Sequence, residues 1–104
     1  MKKNLIMRNK TDINNLFEMG KTISNNIIMI KFIDSNSSEF LFAVSSKKFK
    51  RAVDRNRIKR LMKESVDKVV NKINNKKIAI VYIGNGIPNS EIINNSVIDV
   101  LDRC

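Results

Sequence analysis

Residues 45–63 read SSKKFKRAVDRNRIKRLMK and set Lys47, Lys48, Lys50, Arg51, Arg55, Arg57, Lys59, Arg60 and Lys63 against one acid, Asp54. Ammonium and guanidinium groups at this density have one obvious chemistry, the binding of polyanions. An arginine can hold two phosphate oxygens through its planar fork, whereas a lysine acts as a point charge. Asn56, inside the run, adds a donor and an acceptor that can fix orientation or read a base edge. For any one of these side chains, ordinary solvation is the simpler reading. Nine like charges within 19 residues are different, because they repel one another unless solvent or a polyanion screens them.

Composition strengthens the case for guanidinium in particular. Asn, Ile and Lys supply 45 of the 104 residues, the bias expected of AT-rich codons, under which arginine drifts toward lysine. Yet four of the six arginines fall between positions 51 and 60.

What the chain lacks also constrains its chemistry. It has no histidine, so the usual general base and the commonest metal ligand are missing. Gly20, Gly84 and Gly86 are its only glycines, and none opens a phosphate-cradling Gly-Lys-Ser/Thr loop. The ten acids are scattered or, like Glu64 and Asp67, sit at helix-surface spacing, which favours solvated surface over an acid/base pair or a Mg2+ site. The expectation is a chain with no catalytic residue and no metal site, one that does not make or break bonds alone.

The elements that must carry the basic run come next. A chain of 104 residues with 42% hydrophobic content predicts one domain over residues 1–104 with a real core. A formal charge of +10 favours nucleic acid or an anionic surface as partner. No apolar run approaches the roughly 20 residues of a spanning helix. The N-terminus, MKKNLIMRNK, has neither an apolar signal region nor a cleavage site, so a cytoplasmic protein is expected. The single Cys104 predicts no intrachain disulfide.

Thr11 or Asp12 is placed to cap a first helix carrying Ile13, Leu16, Phe17 and Met19, with Gly20 ending it. Residues 27–33 (IIMIKFI) read as a strand covered on both faces, and residues 34–38 (DSNSS) as a turn. Residues 40–44 (FLFAV) form the returning strand, with Phe40, Phe42 and Val44 on one side and Leu41 and Ala43 on the other. The basic run becomes a helix starting between Ala52 and Asn56, with Asp54 as candidate N-cap. Its apolar stripe is Ile58, Leu61, Met62, Val66, Val69, Val70 and Ile73. Opposite it, Arg55, Lys59 and Lys63 at steps of four, flanked by Arg57 and Arg60, form a charged stripe. Residues 77–83 (KIAIVYI) are the next strand, and Pro88 with Asn89 or Ser90 starts a last helix burying Ile93, Val97, Val100 and Leu101. The pattern gives α-β-β-α-β-α, an α+β fold with helices on a small central sheet.

The segment SSKKFKRAVDRNRIKRLMKES, with Arg55-Asn56-Arg57-Ile58-Lys59-Arg60 at its centre, closely resembles the signature of the bacterial ribonuclease P protein family. Residues 12–21 (DINNLFEMGK) resemble that family's first helix and terminal glycine, so the likeness spans nearly the whole chain. The resemblance implies the order α-β-β-(β)-α-β-α, a fold similar to the second domain of ribosomal protein S5, and a left-handed β-α-β crossover. Pattern alone would have given the common right-handed crossover.

The resemblance further implies a protein cofactor for a catalytic RNA that removes the 5′ leader from precursor tRNA. Its partners would be that RNA and the precursor, with no membrane and no obligate protein partner. Hydrolysis would use Mg2+ held through the RNA, and the protein alone would bind no cofactor. The site residues implied are Lys47, Lys48, Lys50, Arg51, Arg55, Asn56, Arg57, Lys59, Arg60 and Lys63 for the RNA, with Phe17 and Lys31 for the leader. The sequence departs from the family pattern at Lys50, where a glycine is usual, at Lys31, where an aromatic is expected, and at Ile13, which replaces a common phenylalanine. Ile83-Gly84-Asn85 lacks an arginine common after that strand. Other classes remain: a small ribosomal or general RNA-binding protein without a role in precursor-tRNA cleavage, a DNA-binding module, and, least fitting, an independent nuclease.

Overall fold

Alternation decides this architecture. In β2 (Ile28–Asp34) and β3 (Glu39–Val44), Ile28, Ile30, Phe40 and Phe42 are buried while the intervening residues are only half-buried. The computed structural model describes residues 6–7, 9–73 and 75–104. Around these strands it places α1 (Lys10–Met19), β1 (Lys21–Ser24), α2 (Ala52–Asp67), a 3₁₀ turn (Val70–Lys72), β4 (Lys76–Tyr82) and α3 (Ser90–Asp102). The result is an α+β fold with three helices and one mixed sheet of strand order β1-β2-β4-β3. β1–β2 and β2–β4 are antiparallel, whereas β3 and β4 run parallel. A parallel pair cannot be closed by a hairpin, so α2 makes the crossover between β3 and β4.

One face of the sheet carries the main core. Ile28, Ile30, Phe40, Phe42, Ile78, Ile80 and Tyr82 meet Ile58, Met62 and Val66 of α2 and Ile93, Val97, Val100 and Leu101 of α3. On the opposite face a smaller cluster forms, in which Leu16 of α1 packs with Met7 and Ala79, flanked by Ile13, Ile33 and Leu41. Gly20 ends α1, and the Leu16 carbonyl comes so close that a Cβ at Gly20 would collide with it. Asn89 caps α3 by accepting from the Ile92 N–H at 2.8 Å. Among the described residues no helix is long and apolar enough to cross a membrane.

Several expectations need correction. The α1 cap is Asn9, whose side chain accepts from the Thr11 and Asp12 N–H groups; neither Thr11 nor Asp12 is the cap. The strand β1 was not expected from the residue pattern, since KTIS holds a single apolar residue and is exposed at every position but one. β2 is not covered on both faces: only Ile28 and Ile30, on one face, are buried. α2 starts at Ala52 with Arg51 at the cap position and no side-chain cap, so Asp54 lies inside the first turn. There its charge still favours the positive end of the helix. The apolar stripe outlasts its helix: α2 ends at Asp67, while Val69, Val70 and Ile73 pack on the core from the connection that follows. Residues 1–5 and 8, on which the signal-segment reading partly rests, lie outside the described residues.

Candidate nucleic-acid interface

The basic segment begins as a tight turn off the end of β3. Ser45 Oγ accepts from the N–H groups of Lys47 and Lys48, and the Phe49 N–H donates to the Ser45 carbonyl at 3.0 Å. Phe49 then dives into the core, 7% exposed, its ring tilted against Tyr82 with centroids 5.8 Å apart. Tyr82 donates its hydroxyl to the Gly86 carbonyl, and burial raises its phenol above the ordinary value. Gly84 lies so close to that ring that a Cβ there would overlap it. An aromatic anchor thus holds down the middle of a loop whose other side chains, Lys47, Lys48, Lys50 and Arg51, are exposed.

Burial of Ile58, Met62 and Val66 fixes the rotation of α2 about its axis. Asn56, Arg57, Arg60 and Lys63 face outward, while Arg55 and Lys59 are half-buried. The exposed stripe is therefore Arg57, Arg60 and Lys63 at steps of three, rather than Arg55, Lys59 and Lys63 at steps of four. Lys63 holds its ammonium 5.9 Å from the centroid of the Phe42 ring, and Lys48 donates to the Ile83 carbonyl at 3.0 Å. Arg55 turns inward: its Nη1 donates to the carbonyls of Phe49 and Lys50 at 2.8 and 2.9 Å. The ion pairs Lys76–Asp34, Lys77–Asp12 and Arg103–Asp99 all lie outside this segment. Two cations about 10 Å apart in water repel by roughly 0.4 kcal/mol. The fold tolerates the cluster, and a polyanion relieves all such terms together.

A second surface lies on the α1 face of the sheet. Leu16 is fully buried beneath the helix, whereas its neighbour Phe17 is 36% exposed. The Lys31 ammonium donates to the Phe17 main-chain carbonyl at 3.3 Å, so the two residues singled out for the leader meet. Cross-strand register places Ser24, Met29, Val81 and Ala43 in one row and Thr22, Lys31, Ala79 and Leu41 in the next. Ala79 and Leu41 of the second row belong to the cluster beneath α1, whereas Met29, Val81 and Ala43 of the first row are half-buried and outside it. The family resemblance implies a cleft between the first helix and the sheet, with Lys31 in it; Met29, Val81 and Ala43 were not singled out in the sequence, although Met29 and Lys31 alternating among isoleucines were a signal of them. Lys48, reaching Ile83 just beyond β4, brings the basic loop to the end of this half-buried floor.

The ribonuclease P family model matches residues 1–104. The chain belongs to the ribonuclease P protein family. It is 35% identical over 66 residues to a ribonuclease P protein component of Staphylococcus haemolyticus (strain JCSC1435), covering 62% of this chain and 58% of the relative. It is 34% identical over 77 residues to the corresponding protein of Acholeplasma laidlawii (strain PG-8A), covering 73% of this chain and 66% of the relative. The fold is that of the Staphylococcus aureus RNase P protein, with a TM-score of 0.86 at 21% identity over 95% of this chain and 94% of that one. The Thermotoga maritima RNase P protein gives 0.84 at 19% identity over 94% and 96% of the two chains.

Lys50, where the resemblance leads one to expect a glycine before Ala52-Val53, raises the question of backbone strain. None is present, because Asn75 is the one described non-glycine residue with positive φ. Lys50 therefore sits in ordinary backbone space. Among the described residues no three His, Cys, Asp or Glu side chains converge on a point that could hold a metal ion.

Proposed function

We propose that this chain is the protein cofactor of a ribonuclease P ribonucleoprotein in which an RNA subunit, with bound Mg2+, hydrolyses the 5′ leader from precursor tRNA. The observation that carries this reading is the family match over residues 1–104. The loop cations and the Arg57–Arg60–Lys63 stripe bind the catalytic RNA by neutralising phosphates, and Asn56 fixes their register. The half-buried floor receives the single-stranded leader, with Phe17 as a stacking surface and Lys31 as a phosphate partner. The protein's contribution is binding energy. A precursor has a leader to place on this floor and the mature product has none, so the grip favours substrate over product.

With one aromatic and one ammonium at the floor, the leader is held more by charge than by stacking. Affinity of the assembled ribonucleoprotein for precursor tRNA should rise with leader length and fall steeply with salt. Lys31→Gln should lower the salt slope by about 0.7, the share of one single-strand phosphate. Equal affinity for precursor and mature tRNA, or a flat salt response, would favour general RNA binding instead.

A further inference from the structure

We infer that Arg55 is a positioning residue: it clamps the cation loop so that Lys47, Lys50 and Arg51 meet the RNA as a fixed set. This rests on the reading that the segment binds RNA, and it separates one arginine of the Arg55-Asn56-Arg57 motif from the other. Both protons of Arg55 Nη1 are spent on the Phe49 and Lys50 carbonyls, at 2.8 and 2.9 Å. These carbonyls lie just before α2, outside its ladder, and that of Phe49 belongs to a buried residue, where leaving a polar group unpaired is costly. Arg55 reaches back to them from the first turn of α2, where the helix dipole disfavours a cation. Asp54 beside it offsets part of that cost. The loop has no glycine, and its four cations occupy five residues. Their mutual repulsion favours spreading, which the clamp opposes. A planar fork suits the task because one nitrogen presents two protons in fixed directions; a lysine ammonium at this position has neither the geometry nor the reach.

The test is a double-mutant cycle on binding of the ribonuclease P RNA from the same genome. It uses Arg55→Gln, Lys47→Gln/Lys50→Gln and their combination, with Arg55→Lys as the charge-preserving variant. Arg55→Gln should weaken binding about tenfold, the scale of charge-assisted hydrogen bonds. It should cost clearly less once Lys47 and Lys50 are already gone, with Arg51 alone of the set remaining, and Arg55→Lys should not restore affinity. In the free protein, hydrogen exchange at the Phe49 amide should quicken in Arg55→Gln and Arg55→Lys but not in Arg57→Gln. Equal losses in both backgrounds, rescue by lysine, or unchanged exchange would overturn the inference. If wild-type protein fails to bind the RNA, the functional reading falls, and the exchange measurement still decides the clamp.

Discussion

The same strands build the two faces of the sheet, and the faces do opposite work. Toward α2 and α3, Ile28, Ile30, Phe40, Ile78 and Ile80 are fully buried in one continuous core. Toward α1, the alternate residues Met29, Lys31, Ala43 and Val81 are only half-buried. A period of two lets neighbouring residues serve the core and, on the proposed function, binding separately. The difference teaches that in this fold the parity of a residue's position along a strand decides whether its substitution touches the main core.

The largest effect that would sharpen this contrast is on the sealed face. Phe40→Ala should cost about 3–5 kcal/mol, a large part of the stability of a domain this size, and take RNA binding down with it. Urea denaturation checks this, and retained stability would mean that the core is not where the structure puts it. Arg57→Gln should do the reverse. Its side chain is exposed, so stability should move by less than about 0.5 kcal/mol. The salt slope of RNA binding should fall by roughly 0.7–0.9. A loss of stability without a change in slope would break the division of labour.

The smallest effect concerns the Lys76–Asp34 pair at the far end of the sheet, 2.8 Å apart. The hydrogen bond and charge of Lys76 hold the exposed Asp34 carboxyl below its usual value of 3.8. Its contribution is therefore present above the unfolded carboxylate range and lost as pH falls through the lowered folded value. Asp34→Asn should slightly flatten the acid limb of stability against pH while leaving RNA binding at neutral pH unchanged. An altered RNA affinity would place this end of the sheet within the interface.

Much of the molecule was legible because its signals are periodic. Ile93, Val97, Val100 and Leu101 marked α3, and the alternation in residues 40–44 assigned each strand face as it is found. β1 was not legible from its residues: an edge strand exposed on both sides has no alternation to read. The cap of α1 lay among three competent residues, Asn9, Thr11 and Asp12, and the burial of Leu16 beneath the helix, a tertiary fact, goes with the choice. The stripe through Val69, Val70 and Ile73 misled because burial continues after the helix stops. In the candidate site the sequence showed which residues are cationic but not which way they point. Arg55 and Arg57 look alike in the chain; the hydrogen bond that Arg55 gives to the carbonyl of the buried Phe49 tells them apart.

The central claim is that this chain assists an RNA catalyst. The most direct test is cleavage of precursor tRNA by the ribonuclease P RNA from the same genome at low Mg2+, with and without the protein, alongside Arg57→Gln. The account predicts that wild-type protein lowers the Mg2+ requirement or the KM for precursor and that Arg57→Gln does so less well. Tight RNA binding with no change in cleavage would contradict it.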